Sequence, residues 1–141
     1  MAKGLRYQPK KGSILICDFS GNKVPEFNKK RPVLVLFKDR YNPKLVTVLP
    51  ISSKKSFGNQ AEFQVECPTP TDLDSAKSSY IKCNYITVVS IERLSLIKTY
   101  NAKGKINVMN KLDETRFQEA KEKVASWLKS YNIIYEPVRG F

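Results

Sequence analysis

The chain contains no histidine. Ser-His and Cys-His nucleophilic relays, histidine-bearing zinc sites and cleavage by paired histidines all need an imidazole, so all are excluded. Cysteine is scarce as well. Cys17, Cys67 and Cys83 are odd in number and widely spaced, with no CxxC pair, which speaks against a disulfide framework and against a metal site. They read as buried or half-buried free thiols. No apolar run approaches the roughly 20 residues that a membrane helix requires. The opening MAKGLRYQPKKG is positive but has no apolar stretch behind it, unlike a signal peptide. A cytoplasmic protein without a membrane partner is expected. Internal repeats and low-complexity tracts are also missing.

What remains is a 141-residue chain with 41% apolar residues, enough for one domain with a hydrophobic core. Its net charge is +12 and unevenly spread: residues 1–60 hold 13 Lys/Arg against 3 Asp/Glu, residues 61–141 hold 12 against 10. That asymmetry suggests a basic face able to attract a polyanion, nucleic acid first and an acidic protein second. A merely solvated basic surface is the third reading. Without histidine or metal, any catalysis falls to Asp, Glu, Arg, Lys, Tyr, Ser or Thr.

The segment SILICDF (13–19) alternates with two apolar faces, an interior strand whose Asp18 emerges at a rim. A turn-rich loop follows, carrying Glu26 and then the basic cluster Lys29-Lys30-Arg31 directly before the strand PVLVLF (32–37). LVTVLPI (45–51) is the next strand, and Ser52 to Asn59 is a polar loop. AEFQVEC (61–67) alternates as a half-exposed strand does, and 68–79 is a loop. YIKCNYITVVSI (80–91) reads as one long strand or two, kinked near Asn84, and INVM (106–109) as a short edge strand. Short strands with short connections suggest a small antiparallel barrel or a sandwich. The end differs: Asp113 can cap a helix in which Phe117, Ala120, Val124, Trp127, Leu128 and Tyr131 share one face. Glu119 and Lys123 can pair on its outer side.

Several pieces then fall into a familiar order. Pro9-Lys10-Lys11-Gly12, Cys17-Asp18-Phe19-Ser20-Gly21 and Lys30-Arg31-Pro32-Val33-Leu34-Val35-Leu36 resemble the MazF/PemK/Kid toxins. In that family a Pro-x-x-Gly leads into a first strand ending in Asp and an apolar residue, and a loop carrying Glu precedes Arg-Pro-Val. Glu26 stands five residues before Arg31, as in that loop. Val48-Leu49-Pro50-Ile51-Ser52-Ser53 looks like the family's Pro-apolar-Thr/Ser-Ser segment, and Ser79–Asn84 through Ser90–Leu94 like its later strand pair. The match spans about residues 7–131 of a single domain, leaving 132–141 as a tail.

The resemblance implies a mainly β fold, an SH3-like small antiparallel barrel of the MazF/Kid/CcdB kind with a C-terminal α-helix. It also implies a homodimer and a metal-independent, cofactor-free endoribonuclease toxin acting on single-stranded RNA. A cognate small acidic antitoxin would cover the RNA groove. Arg31 and Ser52 fall on the family's catalytic Arg and Thr/Ser, and Glu26 on its loop acid. Lys29, Lys30, Ser53, Lys54, Lys55, Phe57, Lys82 and Asn84 are the RNA-binding candidates. Two positions depart: some relatives carry an acid where this chain has Asn84, and an Arg where it has Thr87.

The residue types suit RNA cleavage through the substrate's own 2′-hydroxyl. Glu26 is a candidate base, Arg31 a planar clamp for developing phosphate charge, and Ser52 a hydroxyl to orient a phosphate oxygen. Lys82 or Lys54 would add positive potential, Lys82 lying along the same face as Asn84. Phe57 is the leading candidate for stacking on a base, ahead of Phe27 and Tyr85. Plainer readings stand beside these. Glu26 can balance Lys29 and Lys30, Arg31 can be a surface cation, Ser52 a turn residue, Lys82 a solvated strand residue and Asp18 a rim residue bonded to backbone amides. Three functions therefore remain: an RNA-cutting toxin, a binding module that holds RNA or an acidic peptide, and a barrel that poisons a protein target.

Overall fold

In the computed structural model, residues 4–71, 77–101, 104–108 and 110–131 are described. They form ten strands: β1 (Ser13–Asp18), β2 (Lys30–Lys38), β3 (Leu45–Ser52), β4 (Gln64–Pro68), β5 (Ser78–Lys82), β6 (Thr87–Ser90), β7 (Leu94–Ser95), β8 (Ile97–Asn101), β9 (Gly104–Val108) and β10 (Asn110–Lys111). One α-helix, α1 (Glu114–Ser130), follows them among the described residues. All pairings are antiparallel, in the path β10-β1-β2-β3-β5-β4. β6 also pairs with β3, β7 with β1, and β8 with β9 as a separate hairpin.

The central strands are buried on both faces, which explains why β1 reads as apolar on both sides. Ile14, Leu34, Leu49 and Ile51 face one core with Val65, Ile81 and the helix residues Ala120 and Val124. Leu15, Cys17, Val33, Val35, Val46 and Val48 face a second core with Val89, Ile91 and Leu94. Helix α1 closes the first core. Asp113 caps it as expected, its carboxylate accepting from the Arg116 amide at 3.0 Å. Arg116 Nε reaches the Glu66 carbonyl at 2.9 Å, tying the first turn of α1 to β4. Trp127 packs edge-on against Phe63 and Tyr131 at centroid distances of 4.9 and 4.8 Å. The three cysteines are free and buried, and desolvation pushes Cys17 and Cys83 up to about 12 and Cys67 to about 11.

Several local expectations are corrected. Residues 61–63 are not strand: Gly58–Phe63 is a 3-10 helix, and β4 begins only at Gln64. The 80–91 segment is two strands split by a turn at Cys83–Asn84, in keeping with the kink expected near Asn84, and only Ile91 departs, lying in a second short 3-10 helix, Ile91–Arg93. β2 begins at Lys30, two residues before Pro32, so Lys30 and Arg31 lie inside the sheet rather than ahead of it. Glu119 and Lys123 do pair at 3.2 Å, but Lys123 also donates to the Gln64 carbonyl at 2.7 Å and so faces β4. The strand expected at 106–109 is β9, although Met109 and the tail 132–141 lie outside the described residues.

Candidate functional site

β1 and β2 are joined by the loop 19–29, and their pairing fixes the residues at its base. Cys17 sits across from Arg31 and Asp18 across from Lys30. Strand alternation then puts Arg31 on the face of Val33 and Val35, at the end of the second core. Its guanidinium lies over the Phe27 ring, 4.9 Å from the centroid. Phe27 in turn meets Tyr85 edge-on at 5.8 Å and Phe19 at 6.0 Å. The Arg31 Nε is buried and has no hydrogen-bond partner among the described residues. A donor desolvated without an acceptor is costly, so Arg31 is held in this position at the expense of stability.

Beside this aromatic trio lies an open cleft of about 580 Å³, lined by Asn22, Glu26, Phe27, Asn84, Tyr85 and Thr87 among others. The two departures from the family pattern, Asn84 and Thr87, therefore share one cleft with the loop acid. Glu26 is exposed, and its Oε1 accepts from the Lys23 amide at 3.0 Å, holding the carboxylate in a turn. Thr87 Oγ1 donates to the Tyr85 carbonyl at 3.0 Å. Asp18 is bound to the rim rather than free in the cleft. Its Oδ1 accepts from the Ser20 amide at 2.9 Å, and that bond holds its carboxyl below the usual range. Arg93 pins the same corner by donating to the Asp18 and Ser20 carbonyls at 2.9 and 3.3 Å.

Ser52 ends β3. The β2–β3 ladder ends at Val33 and Pro50, so Arg31 and Ser52 each lie two residues beyond it, and Ser52 pairs with Tyr80 of β5. Ser52 Oγ accepts from the Lys54 amide at 3.1 Å, leaving its own proton to donate. Beyond it Ser53, Lys54, Lys55 and Phe57 are exposed, Phe57 at 78%. Lys29 and Lys30 are exposed at the other loop.

Lys82 is placed differently from the expectation. The chain turns at Cys83–Asn84, so Lys82 does not share a solvent-facing row with Asn84; it is only 5% exposed. Its Nζ donates to Ser56 Oγ at 2.7 Å and to Gln64 Oε1 at 3.0 Å. Gln64 grips the Ser56 backbone twice, accepting from its N–H at 2.8 Å and donating to its C=O at 3.0 Å. A buried ammonium and a buried amide thus clasp the loop that follows Ser52. Desolvation holds the Lys82 ammonium below its ordinary value.

Comparison with known proteins gives the arrangement a family. The profile described as "PemK-like, MazF-like toxin of type II toxin-antitoxin system" matches residues 10–128. The chain belongs to this family. Three solved structures show the same PemK/MazF fold. MazF from Deinococcus radiodurans is 20% identical with a TM-score of 0.62, covering 87% of this chain and 98% of that one. A mycobacterial endoribonuclease in complex with its cognate antitoxin is 12% identical with a TM-score of 0.59, covering 92% and 100%. The Mycobacterium tuberculosis toxin MazF-mt6 is 17% identical with a TM-score of 0.51, covering 86% and 98%. No curated protein matches significantly.

In this PemK/MazF-like toxin the structure brings Glu26, Asn84 and Thr87 to one cleft and sets Arg31 beside it through Phe27. The sequence reading missed the Ser56–Gln64–Lys82 clasp. Gln64 sits in an alternating stretch where an outward polar residue is the ordinary reading, so nothing flagged it as buried. Among the described residues no three of Cys, Asp and Glu lie together as metal ligands, and no helix is long and apolar enough to cross a membrane.

Proposed function

We propose that the chain is an endoribonuclease toxin that cuts single-stranded RNA by attack of the 2′-hydroxyl, without a metal. The observation that carries this reading is Arg31: a guanidinium held by strand pairing and by the Phe27 ring, beside the cleft that holds Glu26. Such a donor, fixed before substrate arrives, stabilises charge developing on a phosphorane at little reorganisation cost. Glu26, in the adjoining cleft, takes the 2′-hydroxyl proton as the 2′-oxygen bonds to phosphorus; the P–O5′ bond breaks, and the leaving 5′-oxygen takes a proton from water. Ser52, at the end of β3, donates its hydroxyl to a non-bridging phosphate oxygen. Lys29, Lys30, Lys54 and Lys55 supply positive potential, and the exposed Phe57 a flat surface for a base. A small acidic antitoxin is the proposed regulator, supported by the related mycobacterial endoribonuclease solved with its own. A homodimer and a cytoplasmic location belong to the same reading.

The test is direct. Purified protein in EDTA should cleave single-stranded RNA to products ending in a 2′,3′-cyclic phosphate. Arg31→Ala should abolish cleavage while the circular dichroism spectrum is kept. RNA left intact by a large excess of protein sinks the proposal and leaves the second reading, a binding module without cleavage. That second reading is favoured by Asn84 and Thr87, since an amide cannot act as a base and a threonine brings no charge to the cleft.

A further inference from the structure

The far end of β2 carries a second concave surface. Lys30 and Lys38 close the two ends of this strand, which at a rise of 3.2–3.4 Å per residue stand about 26 Å apart. At the Lys38 end an open groove of about 660 Å³ runs between the Lys10–Gly12 turn, β2, β10 and the first turns of α1. Five lysines rim it (Lys10, Lys11, Lys38, Lys111 and Lys121), against one acid, Glu114. Among the described residues none of the five is ion-paired.

The groove is also apolar where a soluble surface has no need to be. Simple alternation along β2 would bury Phe37 on the face of Val33 and Val35. Instead the register against β3 shifts between Val35 and Phe37, and Phe37 emerges 52% exposed into the groove. Register irregularities of this kind re-aim side chains. Phe117, from α1, adds a second ring, with Lys121 Nζ 5.5 Å from its centroid. Phenyl rings and ammonium groups gathered in one groove, with Phe117 partly buried against the first core and Phe37 exposed, suit a polymer that carries both flat bases and phosphates. A folded acidic peptide would ask instead for fixed backbone partners, which a rim of flexible lysine stems does not offer.

We propose that this groove is a second binding site for single-stranded RNA, holding the strand outside the segment that lies at Arg31. The choice of RNA as occupant rests on the ribonuclease reading; the groove itself does not. RNA drawn to the positive half of the molecule would meet both ends of β2, and only one end carries the machinery for cutting.

The experiment uses the full chain and 2′-O-methyl oligonucleotides, which lack the attacking hydroxyl and so report binding alone. Affinity for a fluorescent 12-mer is measured against salt for the parent, for Phe37→Ala, and for the triple variant Lys38→Gln, Lys111→Gln, Lys121→Gln. At about 0.7 released counterions per neutralised phosphate contact, the triple variant should flatten the logarithmic salt slope by about 2. Its affinity for the 12-mer should fall by about tenfold or more at low salt, consistent with losing three phosphate contacts. Phe37→Ala should weaken the 12-mer without altering the slope. A tetramer, too short to fill both sites, should be cleaved in its unmodified form at the parental rate by both variants. The proposal is overturned if 12-mer affinity stays within twofold of the parent, or if the tetramer loses as much as the 12-mer. It is equally overturned if the triple variant releases an oligoglutamate peptide while still holding RNA, which would make the groove a peptide site. A parent that binds the 12-mer through the groove but cuts no RNA supports this site and sinks only the ribonuclease reading.

Discussion

The two ends of β2 hold positive charge in opposite ways. At the Lys30 end, Arg31 is locked by pairing with Cys17 and by the Phe27 ring, and the loop after Ser52 is clasped by buried Lys82 and Gln64. At the Lys38 end, five lysines stand around a groove with no ion partner among the described residues. A fixed donor suits a reaction, because its geometry is set before charge develops. A ring of exposed, unpaired ammonium groups suits attachment, because a point charge on a long stem needs no defined geometry to meet a phosphate. Charge alone does not separate the two ends; immobilisation does.

The largest effect expected from this difference is an asymmetry in swapping arginine and lysine. Arg31→Lys keeps the charge but loses the planar fork and its stacking on Phe27. Removing a preorganised donor of this kind costs about 100- to 1,000-fold in kcat, and the loss should appear in kcat more than in KM. Lys38→Arg or Lys121→Arg at the far end should leave RNA affinity within about twofold, since a point charge there needs no defined geometry. Steady-state cleavage kinetics and anisotropy titrations check the pair. An Arg31→Lys protein as active as the parent would erase the distinction between the ends.

A smaller effect is expected at the clasp. Gln64→Ala removes both hydrogen bonds to the Ser56 backbone and leaves Lys82 with the Ser56 Oγ hydrogen bond and the Tyr80 ring. Losing buried partners in this way costs about 1–3 kcal/mol. Faster hydrogen exchange at the Ser56 amide should accompany it, along with a drop in RNA cleavage. Lys82→Met, which keeps the apolar stem and removes the buried charge, should hold the fold better than Gln64→Ala. Unchanged exchange at Ser56 in Gln64→Ala would show that the loop is held by something else.

Much of this architecture is legible before any coordinates. The 3/4 spacing from Phe117 to Tyr131 behind Asp113 marks α1, because a helix covering one core needs one apolar face. The double-faced β1 is legible for the same reason: Leu15 and Cys17 enter one core, Ile14 the other. What periodicity does not carry is where a strand slips or stops. Phe37 leaves the core because the register shifts beside it, and Ala61–Phe63 coils although its apolar spacing continues into β4. Lys82 is the hardest case. Its neighbours in sequence, Ile81 and Cys83, are buried, and a lysine between them reads as the exposed alternate. It turns inward because Ser56 and Gln64, far away in sequence, offer acceptors at that point. Glu26, Arg31 and Ser52 stand out only through likeness to a family, and that Asn84 and Thr87 share a cleft with Glu26 is a matter of geometry.

The smallest effect concerns acid, and it can be read separately at the two ends. Asp18 at the rim and Asp113 at the start of α1 both have carboxyls held below their usual 3.8, Asp18 chiefly by the Ser20 amide and Asp113 chiefly by the Arg116 amide. A carboxylate whose folded value is depressed adds stability above its unfolded value, and that stability is lost as pH falls through the folded one. Both ends should therefore loosen only below about pH 4, the usual carboxylate range. Asp113→Asn keeps the cap but not the charge, so it should lie close to the parent at pH 7 apart from the exposed Arg116 pairing, and should flatten the acid decline. Asp113→Ala, which loses the cap as well, should cost about 1 kcal/mol at neutral pH. Neither change touches the Arg31 cleft, so tetramer cleavage at pH 7 should match the parent in both. Urea melts at pH 3 and pH 7 provide the measurement. An acid decline of full size in Asp113→Asn would show that the pH dependence of folding lies elsewhere, with Asp18 at the opposite end the next group to replace.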